Sequence, residues 1–136
     1  MSRLMSVAFT EAAVRDRRKT VTRRKGWWID KRGRRLLDVG DQLTLCRKVM
    51  GRKKGEPIVR VAQVVVTALR REPLCAIAGP YVINEDGSTT YPEMVAEGFP
   101  DMDPHEFMRR FFFPQGIGVM DDVTRIEWRY LDGGEP

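Results

Sequence analysis

Basic side chains able to neutralise phosphates are concentrated in the first half of this sequence. Residues 1–60 carry 18 Lys and Arg against 6 Asp and Glu, a net charge of +12, whereas residues 61–136 carry 6 and 13, a net charge of −7. The basic residues form three clusters, RDRRKTVTRRK at 15–25, DKRGRR at 30–35 and RKVMGRKK at 47–54. Because phosphate neutralisation dominates nucleic-acid affinity, we predict a nucleic-acid face in this half. A basic surface that contacts only water is the alternative.

Within these clusters, a set of side chains is expected to contact RNA or a nucleotide. Trp27 lies beside Trp28, and an indole face that stacks on a base contributes ~1–3 kcal/mol per base. One of the two tryptophans is expected in the core instead, because large aromatic side chains usually bury their surface. The predicted nucleic-acid-binding residues are Arg15, Arg23, Arg24, Lys25, Trp27, Arg34, Arg35, Lys53 and Lys54.

Composition argues against metal, cofactor and membrane functions. Cys46 and Cys75 lie in apolar surroundings without CxxC spacing, and His105 is the single histidine, so we predict free thiols and no zinc site. No cofactor is predicted. No apolar run approaches the roughly 18 residues of a membrane helix, and the first residues lack the apolar core of a signal peptide. We therefore expect a cytoplasmic protein that binds no membrane.

Short elements must position the basic residues of the first half. Residues 6–9 form an apolar run typical of a strand, and Thr10 is the expected N-cap of a helix over 11–18. Residues 19–24, KTVTRR, contain three β-branched side chains, which favour an extended chain whose side chains alternate between two faces. The basic segment is therefore predicted to run from a helix into a strand.

The rest of the chain alternates strands with short helices. Residues 42–69 are predicted to form a β-hairpin with a basic tip, and residues 70–91 are weakly patterned and predicted to form an excursion loop. A helix that starts at a proline is predicted over 92–97, and another begins after the N-cap Asp103. Alternation over 123–131 predicts a final strand.

These elements predict an α+β fold, with about five or six mostly antiparallel strands and two or three short helices. They are best assembled as a small closed or half-open β-barrel whose ends are covered by helices. The length of 136 residues is typical of one domain. We therefore expect a single domain over 1–136, with the excursion at about 70–91 and a frayed tail at 132–136.

Three motifs, taken in order, resemble the ASCH family of PUA-like domains. They are the basic element KTVTRR at 19–24 after a short helix, the turn Gly40-Asp41 that opens a strand, and Glu97-Gly98-Phe99 followed by HEFMRRFF at 105–112 and VTRIEWRYL at 123–131. The resemblance covers roughly residues 5–131. It implies a PUA-like β-barrel with a cleft facing RNA or a modified nucleoside, and it does not imply catalysis for every member.

Some members of that family resemble small amidohydrolases that remove the acetyl group of N4-acetylcytidine with a Lys, a Thr and a Glu. The matching positions are Lys19, Thr22 and Glu97. The resemblance implies that Lys19, its pKa lowered by burial and nearby arginines, activates Thr22 or a water held by it. Glu97 would orient Lys19 or protonate the leaving amine, and Arg24 would hold a phosphate or the developing charge. Strand alternation separates Lys19 from Thr22, so a bend must bring them together.

Two functions are therefore kept open. The first is binding of RNA or a modified nucleotide in the basic cleft without catalysis. The alternative is hydrolysis of an N4-acyl group of cytidine by Lys19, Thr22 and Glu97, although each of these positions also has a purely structural explanation. The chain is longer than the minimal enzymes, through residues 70–91 and the basic loop containing Trp27, which leaves the substrate open. An adaptor function through the acidic half has no motif behind it.

Overall fold

A five-stranded mixed sheet lies at the centre of the computed structural model, which describes residues 3–132. The strands are β1 (Arg3–Ser6), β2 (Val21–Arg24), β3 (Gln42–Cys46), β4 (Arg60–Pro73), β5 (Val82–Ile83), β6 (Thr89–Thr90) and β7 (Asp122–Tyr130). The sheet has the order β1-β3-β4-β7-β2, with only β1 and β3 parallel, and it curls into a half-barrel. β5 and β6 form a separate hairpin. The predicted α+β architecture, with mostly antiparallel strands, is confirmed.

Three short α-helices accompany the sheet in residues 3–132. They are α1 (Glu11–Arg15), α2 (Pro92–Glu97) and α3 (Pro104–Phe111). α2 begins at its proline, and α3 is capped by the carboxylate of Asp103, which accepts the backbone N–H of His105 at 2.8 Å. Both helix starts agree with the sequence prediction. No helix in this part of the chain has the length and apolar character needed to cross a bilayer.

The amino-terminal elements differ from their predicted bounds. β1 begins at Arg3, and the predicted strand over 6–9 gives way to a 3₁₀ turn over Ala8–Thr10. α1 ends at Arg15 instead of 18, because Arg17 has a φ of 62°, outside the helical region. The predicted N-cap position is correct, but the Thr10 side chain makes no capping hydrogen bond.

The segment predicted as an excursion at 70–91 starts with the end of a strand. Residues 70–73 stay extended because they pair with β7. A 3₁₀ turn over Leu74–Ala78 and the β5–β6 hairpin follow, and Leu74 and Ile77 are fully buried. The excursion therefore begins four residues later than predicted and contributes to the core. Of the tail predicted to be frayed, residues 133–136 lie outside the described residues.

Two apolar cores meet beside the sheet. The first lies within the curled sheet and includes Val7, Val14, Leu43, Leu45, Val64, Ile126 and Trp128. The second joins α2 and α3 to the 3₁₀ turn after β4 and includes Leu74, Ile77, Met94, Phe107, Phe112 and Val123. Side chains of both cores line one cavity, Val7 from the first and Phe107 and Phe112 from the second. This cavity is the candidate functional site, and it lies at the junction of the two cores.

Candidate functional site

The junction cavity has a volume of about 290 Å³. Lys19, Thr22 and Glu97, the three residues that the family resemblance implied for a cleft, all line it. Phenylalanine supplies much of the apolar lining, through Phe9, Phe99, Phe107, Phe111 and Phe112. We call this the first cavity. It combines polar groups able to hydrogen-bond a ligand with aromatic faces on which a flat ligand can stack.

Hydrogen bonds at the start of β2 hold Lys19 outside the regular strand. Its carbonyl accepts the indole N–H of Trp128 at 3.1 Å and the hydroxyl of Tyr130. The N–H of Thr20 donates to the carbonyl of Ala96 at 2.9 Å, which ties this segment to α2. Because β2 begins only two residues after Lys19, strand alternation does not separate its side chain from the residues that face the cavity.

Lys19 and Glu97 form a buried ion pair. The Lys19 Nζ donates to the Glu97 carbonyl at 2.6 Å and to its Oε1 at 3.2 Å, and the two side chains are 3% and 2% exposed. Burial lowers the pKa of Lys19 to about 8, with Arg24 and Arg23 acting in the same direction and Glu97 opposing them. A lysine with this pKa is able to give and take a proton near neutral pH.

A network of charges behind the cavity fixes Glu97. The fully buried guanidinium of Arg23 donates to Glu97 Oε2 at 3.0 Å, to Glu72 Oε2 at 3.2 Å and to Glu93. Arg125 also binds Glu93, at 2.8 Å. Although burial raises the pKa of Glu93, hydrogen bonds from Arg125 and Arg23 outweigh it and hold that pKa at about 2. Arg23, a predicted nucleic-acid contact, therefore faces carboxylates, and each oxygen of Glu97 has its own cation.

Thr22 and Arg24 form the other polar pair of the first cavity. The Arg24 Nε donates to the Thr22 Oγ1 at 3.2 Å, and its Nη2 donates to the Ser6 carbonyl at 2.6 Å. Burial lowers the pKa of Arg24, against the attraction of Glu97. Since the Thr22 oxygen already accepts a bond from a cation, its own hydrogen is left to point toward a ligand or a base.

A second cavity of about 300 Å³ adjoins the first. Arg24 and Lys25 line both cavities, and Arg3, Trp27 and Leu36 line the second alone. Trp27 is half-buried and packs against the first core. The two cavities are therefore neighbours that share the side chains of Arg24 and Lys25.

The structure divides the predicted nucleic-acid contacts into two groups. Arg15 pairs with Glu11 at 2.8 Å, and Arg34 pairs with Asp30 at 3.0 Å, each on an exposed surface. Arg35 lies 4.1 Å from the ring centroid of Trp28. Both tryptophans are half-buried, and Trp27, which packs against the first core, is the one that agrees with the expected core position. Four of the predicted contacts line a cavity, namely Arg23, Arg24, Lys25 and Trp27. The other five lie outside both cavities, namely Arg15, Arg34, Arg35, Lys53 and Lys54.

Several residues of this site were not singled out from the sequence. Phe9 is 76% exposed at the first cavity, with its ring 5.4 Å from that of Phe111. Its position at the end of an apolar run, next to a helix N-cap, was the available signal. Glu93 was recognisable as well, because it lies one helical turn before Glu97 on α2. Glu72 and Arg3 had no comparable signal.

Comparison with solved structures identifies the fold. No family model matches the sequence, and a search of the curated proteins finds no match. Among solved structures, the crystal structure of an ASCH domain from Lactobacillus crispatus JV V101 is similar, with a TM-score of 0.52 and 13% sequence identity over 94% of this chain and 79% of that one. Identity this low establishes likeness of fold alone. The chain has the fold of an ASCH domain, as its sequence motifs predicted.

Proposed function

We propose that the first cavity binds a modified nucleoside, as a free nucleotide or within RNA. The observation that carries the proposal is the meeting of Lys19, Thr22 and Arg24 with a phenylalanine-rich surface in one cavity of about 290 Å³. That volume is at the lower end of the roughly 300–1,000 Å³ of small-molecule sites, a size suited to one nucleoside. Unpaired bases are recognised by aromatic stacking together with hydrogen bonds to their edges, and this cavity offers both.

Phe9 provides the direct test of base binding. Stacking contributes ~1–3 kcal/mol per base, so Phe9→Ala should weaken binding of N4-acetylcytidine by roughly 5- to 150-fold in a calorimetric titration. Met50→Ala is the matched control, because Met50 is 87% exposed and lies in the β3–β4 loop outside both cavities. Binding that is absent in the wild type, or equal in the wild type and Phe9→Ala, would contradict the proposal.

A titration with short single-stranded RNA tests the electrostatic part of the proposal. Affinity should fall as salt rises from low to moderate concentration, because each phosphate bound by a basic side chain releases counterions. An affinity independent of salt would exclude phosphate contacts.

A second candidate function is hydrolysis of the N4-acyl group, and the contact of Lys19 with Glu97 is the observation that favours it. Burial holds the pKa of Lys19 at about 8, so a useful fraction of this side chain is neutral at physiological pH. The Glu97 carbonyl and Oε1 orient the amine, and Arg24 donates to Thr22 in the same cavity. Amide hydrolysis needs a general base, a nucleophilic oxygen and a cation or donor that stabilises the oxyanion, and Lys19, Thr22 and Arg24 are of these types.

In this reaction, N4-acetylcytidine and water give cytidine and acetate. Neutral Lys19 removes a proton from Thr22, or from a water that Thr22 holds, and the oxygen bonds to the acetyl carbon while Arg24 stabilises the oxyanion. The carbon–nitrogen bond then breaks, and Lys19 returns the proton to N4. If Thr22 is the nucleophile, a water hydrolyses the resulting acetyl ester and regenerates the hydroxyl.

Chromatographic assay of cytidine release tests this candidate. Lys19→Met should lower the rate about 10²–10⁴-fold, the usual contribution of a general base. The wild-type rate should rise with pH and level off above about 8, where Lys19 is neutral. Thr22→Ser should retain activity, while Thr22→Val abolishes it if the hydroxyl is the nucleophile. An inactive wild-type protein, or unchanged activity in Lys19→Met, would exclude hydrolysis by this constellation.

A further inference from the structure

The second cavity has an unbalanced positive charge. Three of its lining residues, Arg3, Arg24 and Lys25, are cationic, and the others are Gly26, Trp27 and Leu36. No carboxylate lines it among residues 3–132. A concave surface with cations and no anion concentrates negatively charged ligands, because its potential is not cancelled locally.

Two of these cations also have no ion-pair partner among residues 3–132. Most arginines near the basic clusters bind a carboxylate, as Arg15 binds Glu11 and Arg34 binds Asp30. Within the part of the chain that the structure describes, neither Arg3 nor Lys25 takes part in an ion pair, and both are exposed. Binding an anion there requires no internal ion pair to break.

Two cationic side chains line both the second cavity and the first. Arg24 lines both, and its Nε contacts the Thr22 hydroxyl in the first cavity. Lys25 also lines both. A nucleoside whose base lies against the phenylalanines of the first cavity would therefore lie beside two cations that also line the second.

We infer that the second cavity is a phosphate subsite of the same ligand, so that a phosphorylated nucleotide or an RNA nucleotide is preferred over the free nucleoside. The inference rests on the proposed function of the first cavity. Arg and Lys are the side chains that bind phosphate oxygens most strongly, through charge-assisted hydrogen bonds. The half-buried indole of Trp27 offers a surface for the sugar or for a neighbouring base.

The test compares four probes by calorimetry: N4-acetylcytidine, its 5′-monophosphate, its 3′-monophosphate, and a short oligoribonucleotide of unmodified sequence. At least one monophosphate should bind the wild type about tenfold or more tightly than the nucleoside, because a charge-assisted bond is worth at least that factor. Lys25→Ala and Arg3→Ala should each lower this nucleotide-to-nucleoside ratio at least about threefold. Arg129→Ala, which removes one charge from an exposed position of β7 outside both cavities, should leave the ratio unchanged.

Binding of the oligoribonucleotide distinguishes a phosphodiester ligand from a phosphate monoester. It also distinguishes failure of the phosphate subsite from failure of the proposed function of the first cavity. For a phosphodiester subsite, Lys25→Ala should lower the slope of log affinity against log salt by about 0.7, and Arg129→Ala should not. Equal binding of nucleoside and monophosphates, with an unchanged slope in Lys25→Ala, would overturn the subsite while leaving the first cavity intact. Binding of the oligoribonucleotide with a Lys25-dependent slope, but no binding of N4-acetylcytidine or of either monophosphate, would sustain the subsite and reject the modified-nucleoside function. If no probe binds, both proposals fail.

Discussion

The buried charge network behind the first cavity, here called the wall, and the exposed lining of the second, here called the rim, both contain arginine and lysine but differ in burial and ion pairing. In the wall, Lys19, Arg23 and Arg125 are buried and each contacts at least one glutamate. At the rim, Arg3 and Lys25 are exposed and have no ion-pair partner among residues 3–132. The number of arginines and lysines in a segment is therefore a poor guide to what each of them does.

Solvation explains the difference between the two regions. A buried charge without a partner costs many kcal/mol, so the wall requires the carboxylates that accompany its cations. An exposed charge stays hydrated and needs no partner, and it remains available to a phosphate. We infer that the wall positions side chains and that the rim contacts ligands.

The largest test of this comparison is Arg23→Met. The substitution removes the cation shared by Glu72, Glu93 and Glu97, so that these largely buried carboxylates each keep one cation instead of two: Arg70, Arg125 and Lys19, respectively. Loss of one partner of a buried pair typically costs about 3–5 kcal/mol, so urea unfolding should show a destabilisation of that order. Arg34→Met is the control, since it breaks an exposed pair worth about 0–1 kcal/mol. Similar losses in the two variants would erase the distinction between buried and exposed pairs.

A second prediction concerns the pH dependence of stability. The folded pKa of Lys19 is about 8, below the roughly 10.4 of an unfolded lysine, so the unfolded chain binds more protons between these values. Wild-type stability should therefore increase relative to Lys19→Met as pH rises from about 8 to 10.4, by about 3 kcal/mol in total. Urea unfolding at a series of pH values measures the difference. Lys25→Met, which alters an exposed lysine, should instead run parallel to the wild type.

Gly98 offers a smaller and more local test of the wall. It follows Glu97 with a φ of 97°, and an added Cβ would lie 3.1 Å from the Ala13 Cβ and 3.2 Å from the Thr10 Cγ2. Gly98→Ala should destabilise the protein by about 1–3 kcal/mol, through backbone strain and crowding between α1 and α2. Gly116 has a similar φ of 79°, but the space around it is open, so Gly116→Ala measures the cost of backbone strain alone. Equal losses in thermal unfolding would show that crowding contributes nothing.

The smallest expected effect is at the rim. Lys25→Ala should change the free energy of unfolding by less than about 0.5 kcal/mol, because the side chain is exposed and no ion pair within residues 3–132 is lost. The same variant should weaken binding of single-stranded RNA. Urea unfolding and an RNA titration on one preparation measure both quantities. A large stability loss would place Lys25 with the wall residues.

Local sequence patterns predicted most of the elements that surround the site. The proline and Asp103 at helix starts, and the alternation in the last strand, have a physical cause within a few residues of chain, so they were read correctly. The end of α1 was predicted wrongly, because the left-handed φ of Arg17 has no short-range signal in a non-glycine residue.

The family resemblance, carried by residue types and motif order, implied that Lys19, Thr22 and Glu97 lie in one cleft, and all three line the first cavity. The sequence alone also established the uneven charge of the two halves. The sequence did not predict which carboxylate each cation contacts. Arg23 and Lys25 stand two positions apart in one basic cluster, yet one is buried among three glutamates and the other is exposed. Their environments depend on chain segments 49 to 74 residues away, as in the contacts of Arg23 with Glu72 and Glu97. Burial and charge pairing arise from such long-range packing, and no local pattern records them.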